Sequence, residues 1–291
     1  MLIGETIRSI LMQEGDFELE VIIGDDGATD DTPAVIEAIK RSHSKGSAIR
    51  YTRHAVNKGV NQNFLFTVEQ AQGDFIAVCE GDDYWTDPFK LNKQLKLFSD
   101  NKECNYCFTA KAILKSNGEL TNTKYEPALP RYFDLHYLLK RNIMPATQTI
   151  MFRRQSLDLV KFREFTNYFH GDWIILFLIC ENGQIGYLDE YTAVYREGIG
   201  IVSKTSGLKM FLTGLETNRK LNEVTQGKFD YHIGDYKFHY TNLTYAYLTE
   251  GQRLRGLYWF FKTLIYSIFK KKSKIDRTFV KHCIKLFFNI H

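Results

Sequence analysis

The chain has 291 residues, 44% of them hydrophobic, with a formal net charge of +4. That is enough apolar material for one large core and a smaller accessory unit, and it excludes a disordered polymer. Five irregularly spaced cysteines and no signal-peptide pattern exclude a disulfide framework and lead to the expectation of a reducing cytoplasm.

Residues 1–13 place Leu2, Ile3, Ile7, Ile10 and Leu11 on one helical face. The apolar run 19–24 reads as a strand, followed by a helix that Asp31 or Thr32 caps, with Pro33 in its first turn. Residues 48–54 read as a second strand, 57–72 as a loop and helix, and 74–81 ("DFIAVCEG") as a third strand. Asp87-Pro88 then open another helix running to about Phe98. This alternation predicts an α/β fold, a mostly parallel sheet flanked by helices. The Cys104–Cys107 pair lies in a β-rich run and reads as strand packing, while Cys79, Cys180 and Cys283 read as small core residues.

Two acid groups stand where strands end: Asp25, Asp26, Asp30 and Asp31, then Glu80, Asp82 and Asp83. Ligands of open α/β sheets bind beyond the carboxyl ends of strands. Acids gathered there repel one another unless a cation or hydrogen-bonded partner compensates them, so they point to a hard divalent cation and a ligand rich in hydroxyls or phosphates. Asp30 and Asp31 are placed to cap the next helix. Asp82 and Asp83 precede their helix by too many residues to do so.

Residues 251–291 hold ten Lys/Arg against one acid, Asp276, leaving −5 for residues 1–250. Within this tail, "LRGLYWFFKTLIYSIF" (254–269) is apolar and "KKKSK" follows at once. The run is too short and too charged to span a bilayer. A helix on an anionic membrane surface through 254–274 and a helix packed on the core with a solvated basic end both fit it. No motif of a nucleic-acid reader accompanies the basic run.

The segments "VIIGDDGATDDT", "NKGVNQN", "GDFIAVCEGDDYWTDPFKL", "QTIMFRR", "GDWIILFLICENGQIGYLDEYTAVYR" and "GIGIVS", in this order, resemble the family 2 glycosyltransferases over about residues 1–205. The resemblance implies a GT-A fold and a metal-dependent, hexosyltransferase-like enzyme. Such an enzyme moves a sugar from a nucleotide diphosphate-sugar, with uridine the expected base, to a glycan or lipid-linked acceptor hydroxyl in bacterial surface polysaccharide synthesis. Asp82 and Asp83 match the DxD-type element and would hold Mg²⁺ or Mn²⁺ against the donor diphosphate. Asp25 and Asp26 match the nucleotide-side motif, and Asn57, Lys58 and Gly59 match a loop beside the donor. Arg153, Arg154, Tyr195 and Arg196 are expected to grip diphosphate or acceptor. Asp172, in "FHGDW", matches the catalytic base, and one displacement with one base implies inversion. Trp85 and Trp173 suit either a sugar face or the core.

The family opens with an apolar strand and a polar turn, whereas this chain begins at the helix after them, so the expected GT-A domain (1–205) lacks its first strand. Where the family often carries a histidine after Tyr195-Arg196, this chain reads Glu197-Gly198-Ile199-Gly200. Residues 206–291 are expected to form a basic helical tail, read in the stretches 207–224, 236–250, 253–269 and 278–288. The competing reading is a catalytically impaired or purely scaffolding module of a polysaccharide assembly complex.

Overall fold

The computed structural model describes residues 2–123, 125–229, 236–269 and 277–288 of the chain. Two units can be distinguished, Met1–Ser203 and Lys204–His291.

The first unit begins with helix α1 (Leu2–Leu11), which buries Ile7 and Leu11 as their spacing predicts. These two join Val21 of β1 (Val21–Asp25), Ile36 and Ile39 of α2 (Thr32–Ser42) and Ile49 of β2 (Ile49–Arg53) in one apolar cluster. β1 and β2 run parallel, from Val21 opposite Ile49 to Asp25 opposite Arg53. Asp31 stands at the α2 N-cap without a side-chain bond, and Asp30 Oδ1 instead accepts the Thr32 N–H at 3.0 Å. Helix α3 (Val60–Gln70) leads into β3 (Phe75–Ala77). The regular strand is shorter than the apolar run 74–81, because the chain leaves strand geometry after Ala77 and turns toward the acids.

There follow β4 (Tyr84–Trp85), α4 (Lys90–Asp100), β5 (Cys104–Leu114), β6 (Leu120–Asn122) and β7 (Tyr132–Phe133). The unit continues through α5 (Leu135–Lys140), β8 (Met151–Arg153), α6 (Leu159–Arg163), α7 (Gly171–Cys180) and β9 (Gln184–Arg196). The α/β class with flanking helices is the expected one, but strand pairing is mixed rather than mostly parallel. β1–β2 and β5–β9 are parallel, whereas β3–β8, β4–β9, β5–β6, β5–β8 and β7–β9 are antiparallel. The strict strand–helix alternation that forces parallel neighbours stops at β3. Thereafter short returns, such as the turn at Asn117-Gly118, reverse the chain without a crossover helix.

Among the described residues the strands form two separate sheets, β1–β2 and the path β3–β8–β5–β9–β4 with β6 and β7 attached. Side chains join them: Ile10 and Leu19 pack against the apolar clusters of both. Glu20 Oε1, just before β1, accepts the Gln72 and Gly73 N–H groups, just before β3, each at 2.7 Å. The core of the larger sheet contains Trp85, Phe98, Cys104, Cys107 and Met151, so the Cys104–Cys107 pair is free-thiol strand packing. Every residue of α7 from Ile174 to Cys180 is buried, and each large aliphatic there contributes about 1.5–3 kcal/mol relative to exposure. That anchorage makes the N-terminus of α7 a rigid platform.

In the second unit, Ser206 caps α9 (Gly207–Val224), the helix after the short α8 (Ile201–Lys204). Helices α10 (Lys237–Thr249), α11 (Arg253–Phe269) and α12 (Arg277–Phe288) follow. Leu215, Tyr240, Leu243 and Tyr247 form its main core, with Trp259 and Tyr266 packed against it. The basic run 270–274 lies outside the described residues. No described helix is long and apolar enough to cross a membrane.

Candidate active site

The acid segment between β3 and β4 is held from two sides. From α1, Thr6 Oγ1 bonds the Asp83 carbonyl at 2.6 Å and the Gly81 carbonyl at 3.0 Å, and Ser9 Oγ accepts the Trp85 N–H at 3.0 Å. From β9, the Arg196 N–H donates to Asp83 Oδ1 at 2.8 Å and its guanidinium to the Asp82 carbonyl at 2.5 Å. That guanidinium also pairs with Glu5 and lies over the Tyr84 ring, 4.3 Å from its centroid. Arg196 is therefore a buried latch on the acid segment rather than a group free to grip a diphosphate. Its role was not legible because it depends on the pairing of Tyr84 with Val194.

So held, Glu80, Asp82 and Asp83 bring carboxylate oxygens within 4.8 Å of one another. Burial, then repulsion by Asp82 and the other acids, pushes Glu80 up to about 8; its carboxylate meets solvent, but protein atoms crowd the recess around it. Burial likewise pushes Asp83 up to about 7, against the Arg196 N–H bond that lowers it. Asp83 Oδ2 is buried with no hydrogen-bond partner. An orphaned buried carboxylate oxygen facing two more carboxylates is the donor set of a hard divalent cation, so the implied Mg²⁺ or Mn²⁺ fits these residues. Lys111 and Tyr195 stand beside the acids: Asp83 acts on the Lys111 ammonium, and the three acids help burial raise the Tyr195 phenol. Gly200, in "GIGIVS", is close enough that an added Cβ would sit 3.2 Å from Asp82 Oδ2.

The nucleotide-side motifs form one assembly. Asp26 accepts the Lys58 and Gly59 N–H groups at 2.6 and 2.8 Å, and its carbonyl accepts from Asn57 Nδ2 at 2.9 Å. Gly59 adopts φ +88°, which only glycine takes readily. Asp25 is buried, accepting the Ala28 N–H at 2.6 Å and the Tyr51 hydroxyl at 2.7 Å. Asp25 thus closes its own turn rather than facing a ligand, and Asp26 shapes the loop that carries Lys58. The Lys58 ammonium lies 5.5 Å from the Phe66 ring centroid.

Two residues past that loop, Asn61 is buried and its Nδ2 donates to the Tyr168 carbonyl at 2.6 Å and the Phe165 carbonyl at 3.3 Å. This pins the start of α3 to the start of α7. Gly171 abuts the Asn61 amide so closely that an added Cβ would overlap Asn61 Oδ1. Gly171→Ala is expected to cost about 1–3 kcal/mol of stability, because a buried amide must give up its bonds. A urea titration showing no loss would contradict this packing. The next residue, Asp172, is half-buried, accepts the Trp173 N–H at 2.9 Å, and is raised above its ordinary pKa by burial. Its charge is the smallest of those that raise Glu80, so Asp172 lies within electrostatic range of the acid cluster without belonging to it.

Other expected contacts are not brought there. β8 runs antiparallel to β3, which sets Arg153 opposite Phe75, at the end of β3 away from the acids. Arg153 donates to the Cys104 carbonyl at 2.9 Å and the Phe98 carbonyl at 3.0 Å, and Arg154 to the Gly73 carbonyl at 2.8 Å. The recess there, of about 190 Å³, is lined by Asp74, Phe75, Arg153, Arg154 and Gln155 and is remote from the acid cluster. A roomier recess of about 300 Å³ opens beside Gly81, lined also by Leu2, Ile3, Asp30 and Thr32. Trp85 is a core residue, 3% exposed, its indole N–H bonded to the Gln148 carbonyl at 2.9 Å. Thr6, Ser9 and Lys111 escaped sequence reasoning; hydroxyls interrupting the apolar face of α1 were the available signal for the first two.

Comparison with known proteins shows the family and the fold. An uncharacterised protein of Mycobacterium tuberculosis is 34% identical over 196 residues, covering 67% of this chain and 54% of that protein. A putative teichuronic acid biosynthesis glycosyltransferase of Bacillus subtilis is 28% identical over 155 residues, covering 53% of this chain and 58% of that one. The chain thus spans little more than half the length of these relatives. Among solved structures, S. aureus TarS in complex with UDP-GlcNAc superposes with TM-score 0.58 at 15% identity, covering 91% of this chain and 85% of that one; this likeness establishes the GT-A fold. The family model described as Glycosyl transferase family 2 matches residues 2–160, taking in both acid groups and the Asn57-Lys58-Gly59 loop, and the chain belongs to that family.

Proposed function

We propose that the chain is an inverting glycosyltransferase of the cytoplasm. It would move a sugar from a UDP-sugar to a hydroxyl of a glycan or lipid-linked acceptor in bacterial surface polysaccharide synthesis. The observation that carries this reading is the Glu80–Asp82–Asp83 cluster with its orphaned Asp83 oxygen, and the electrostatic reach of Asp172 to it supports Asp172 as the base. Sugar transfer needs both a base and a cation site, and this reading assigns them to Asp172 and to the acid cluster. The TarS complex and the teichuronic acid relative support the choice of UDP and of a cell-surface glycan.

Asp82 and Asp83, with Glu80, would hold Mg²⁺ or Mn²⁺, which when bound supplies positive charge beside the departing diphosphate. Asp172 takes the proton of the acceptor hydroxyl as its oxygen bonds the anomeric carbon, while the bond to the diphosphate breaks and its electron pair leaves with the nucleotide. One displacement turns an α-linked donor into a β-linked product. The Asp26-organised loop presents Lys58 on the donor side, and the recess beside Gly81 offers room for the base. Arg196 acts through the acid segment that it latches.

The test is calorimetric titration of UDP into the chain with Mn²⁺, beside Asp82→Ala and a metal-free control. Saturable binding that requires both Mn²⁺ and Asp82 is expected. Absence of binding in a folded, monodisperse sample would overturn the UDP reading and favour a scaffolding module.

A further inference from the structure

Helix α11 is inside out for a helix of a globular unit. It buries Gly256, Thr263 and Ser267. Leu254, Tyr258, Phe261, Ile265, Ile268 and Phe269 are left between 53 and 84% exposed. Their 4-3-4-3 spacing gathers them on one face roughly 100° wide, opposite the buried small residues. The inward side is already satisfied: Gly256 lets Leu248 approach, and Trp259 and Tyr266 turn toward Tyr240. A contiguous outward stripe of six large apolar side chains marks an interaction surface.

The charges around the stripe select its partner. On a helical wheel Arg255 and Lys262 border one side and Arg253 the other, and the helix contains no acid. Residues 251–291 carry ten Lys/Arg against one acid. A second copy seated on this face would set like charges against each other, whereas an anionic surface is attracted by all of them.

We propose that α11 is an interfacial helix that docks the chain on an anionic lipid bilayer, its apolar stripe entering the acyl boundary and its flanking cations meeting the headgroups. The surface lies in the second unit alone, so its success or failure is separate from that of the donor reading.

The test is co-sedimentation of the full chain with phosphatidylglycerol–phosphatidylcholine vesicles and with pure phosphatidylcholine vesicles. Binding to the first and not the second is expected, weakening about tenfold at high salt. Phe261→Ser with Ile265→Ser should lower partitioning roughly 10–100-fold. Because both side chains are exposed, the melting temperature and UDP titration should be unchanged. A folded chain that stays in the supernatant with anionic vesicles overturns the proposal. So does a stable dimer in sedimentation equilibrium that Ile265→Asp dissociates, since that assigns the stripe to a second copy.

Discussion

Asp172→Asn is expected to lower turnover by about 10²–10⁴-fold, the span of a lost general base, with UDP affinity in Mn²⁺ essentially unchanged. Asn keeps the Oδ1 acceptor for the Trp173 N–H, so the helix start retains its shape. Removing the charge also relieves Glu80 of one of its repelling neighbours, so cation binding has no reason to weaken. Burial holds Asp172 above its ordinary pKa, so turnover should fall on the acid side as that raised value is crossed. If Asp172 served only the helix dipole, its neutralisation would cost about 0.3–1 kcal/mol of stability and leave turnover intact. Single-turnover kinetics of the variant decide, and full activity would remove Asp172 from the mechanism.

The second large effect is on stability and needs no turnover assay. Burial holds the Asp83 carboxyl at about 7 against an ordinary 3.8, so from about pH 4 to 7 the native chain holds a proton that the unfolded chain has released; Glu80 is raised too, but solvent at that exposed residue screens its contribution. Stability of the metal-free chain must therefore fall as pH rises through that window. Mn²⁺ competes with that proton, so it should raise the melting temperature more at pH 8 than at pH 5. Asp83→Asn preserves the acceptor for the Arg196 N–H while removing a buried charge. It should stabilise the metal-free chain at pH 8 by on the order of 2–4 kcal/mol and abolish the gain from Mn²⁺. Thermal melts at the two pH values, with and without Mn²⁺, check both; an undiminished Mn²⁺ gain in the variant would show that the cation binds elsewhere.

Periodicity located most helices because helix patterns are local. The stretch 207–224 is α9 and 253–269 is α11, and both acid groups follow a strand, although β3 ends at Ala77, before its apolar run does. Register is not local, and there the reading failed. Arg153 looked like a site arginine beside an apolar strand, yet antiparallel pairing with Phe75 carries it to the far end. Arg196 and Asp25 have the right chemistry for a ligand, but that chemistry is used within the protein. No spacing rule announces Thr6 as the residue that bonds the Asp83 carbonyl, since the two lie 77 positions apart.

The separation of β1–β2 from the larger sheet has a mechanical meaning. The Asp26-organised loop rests on one hydrogen-bonded ladder, and the acid segment rests on a second. Among the described residues no peptide ladder joins the two; side chains such as Ile10, Leu19 and Glu20 bridge them. The spacing between the two ladders thus depends on side-chain volumes, a quantity that single substitutions adjust in steps of one methylene. In this chain that spacing can be tuned at Ile10 or Leu19 without touching either group of acids.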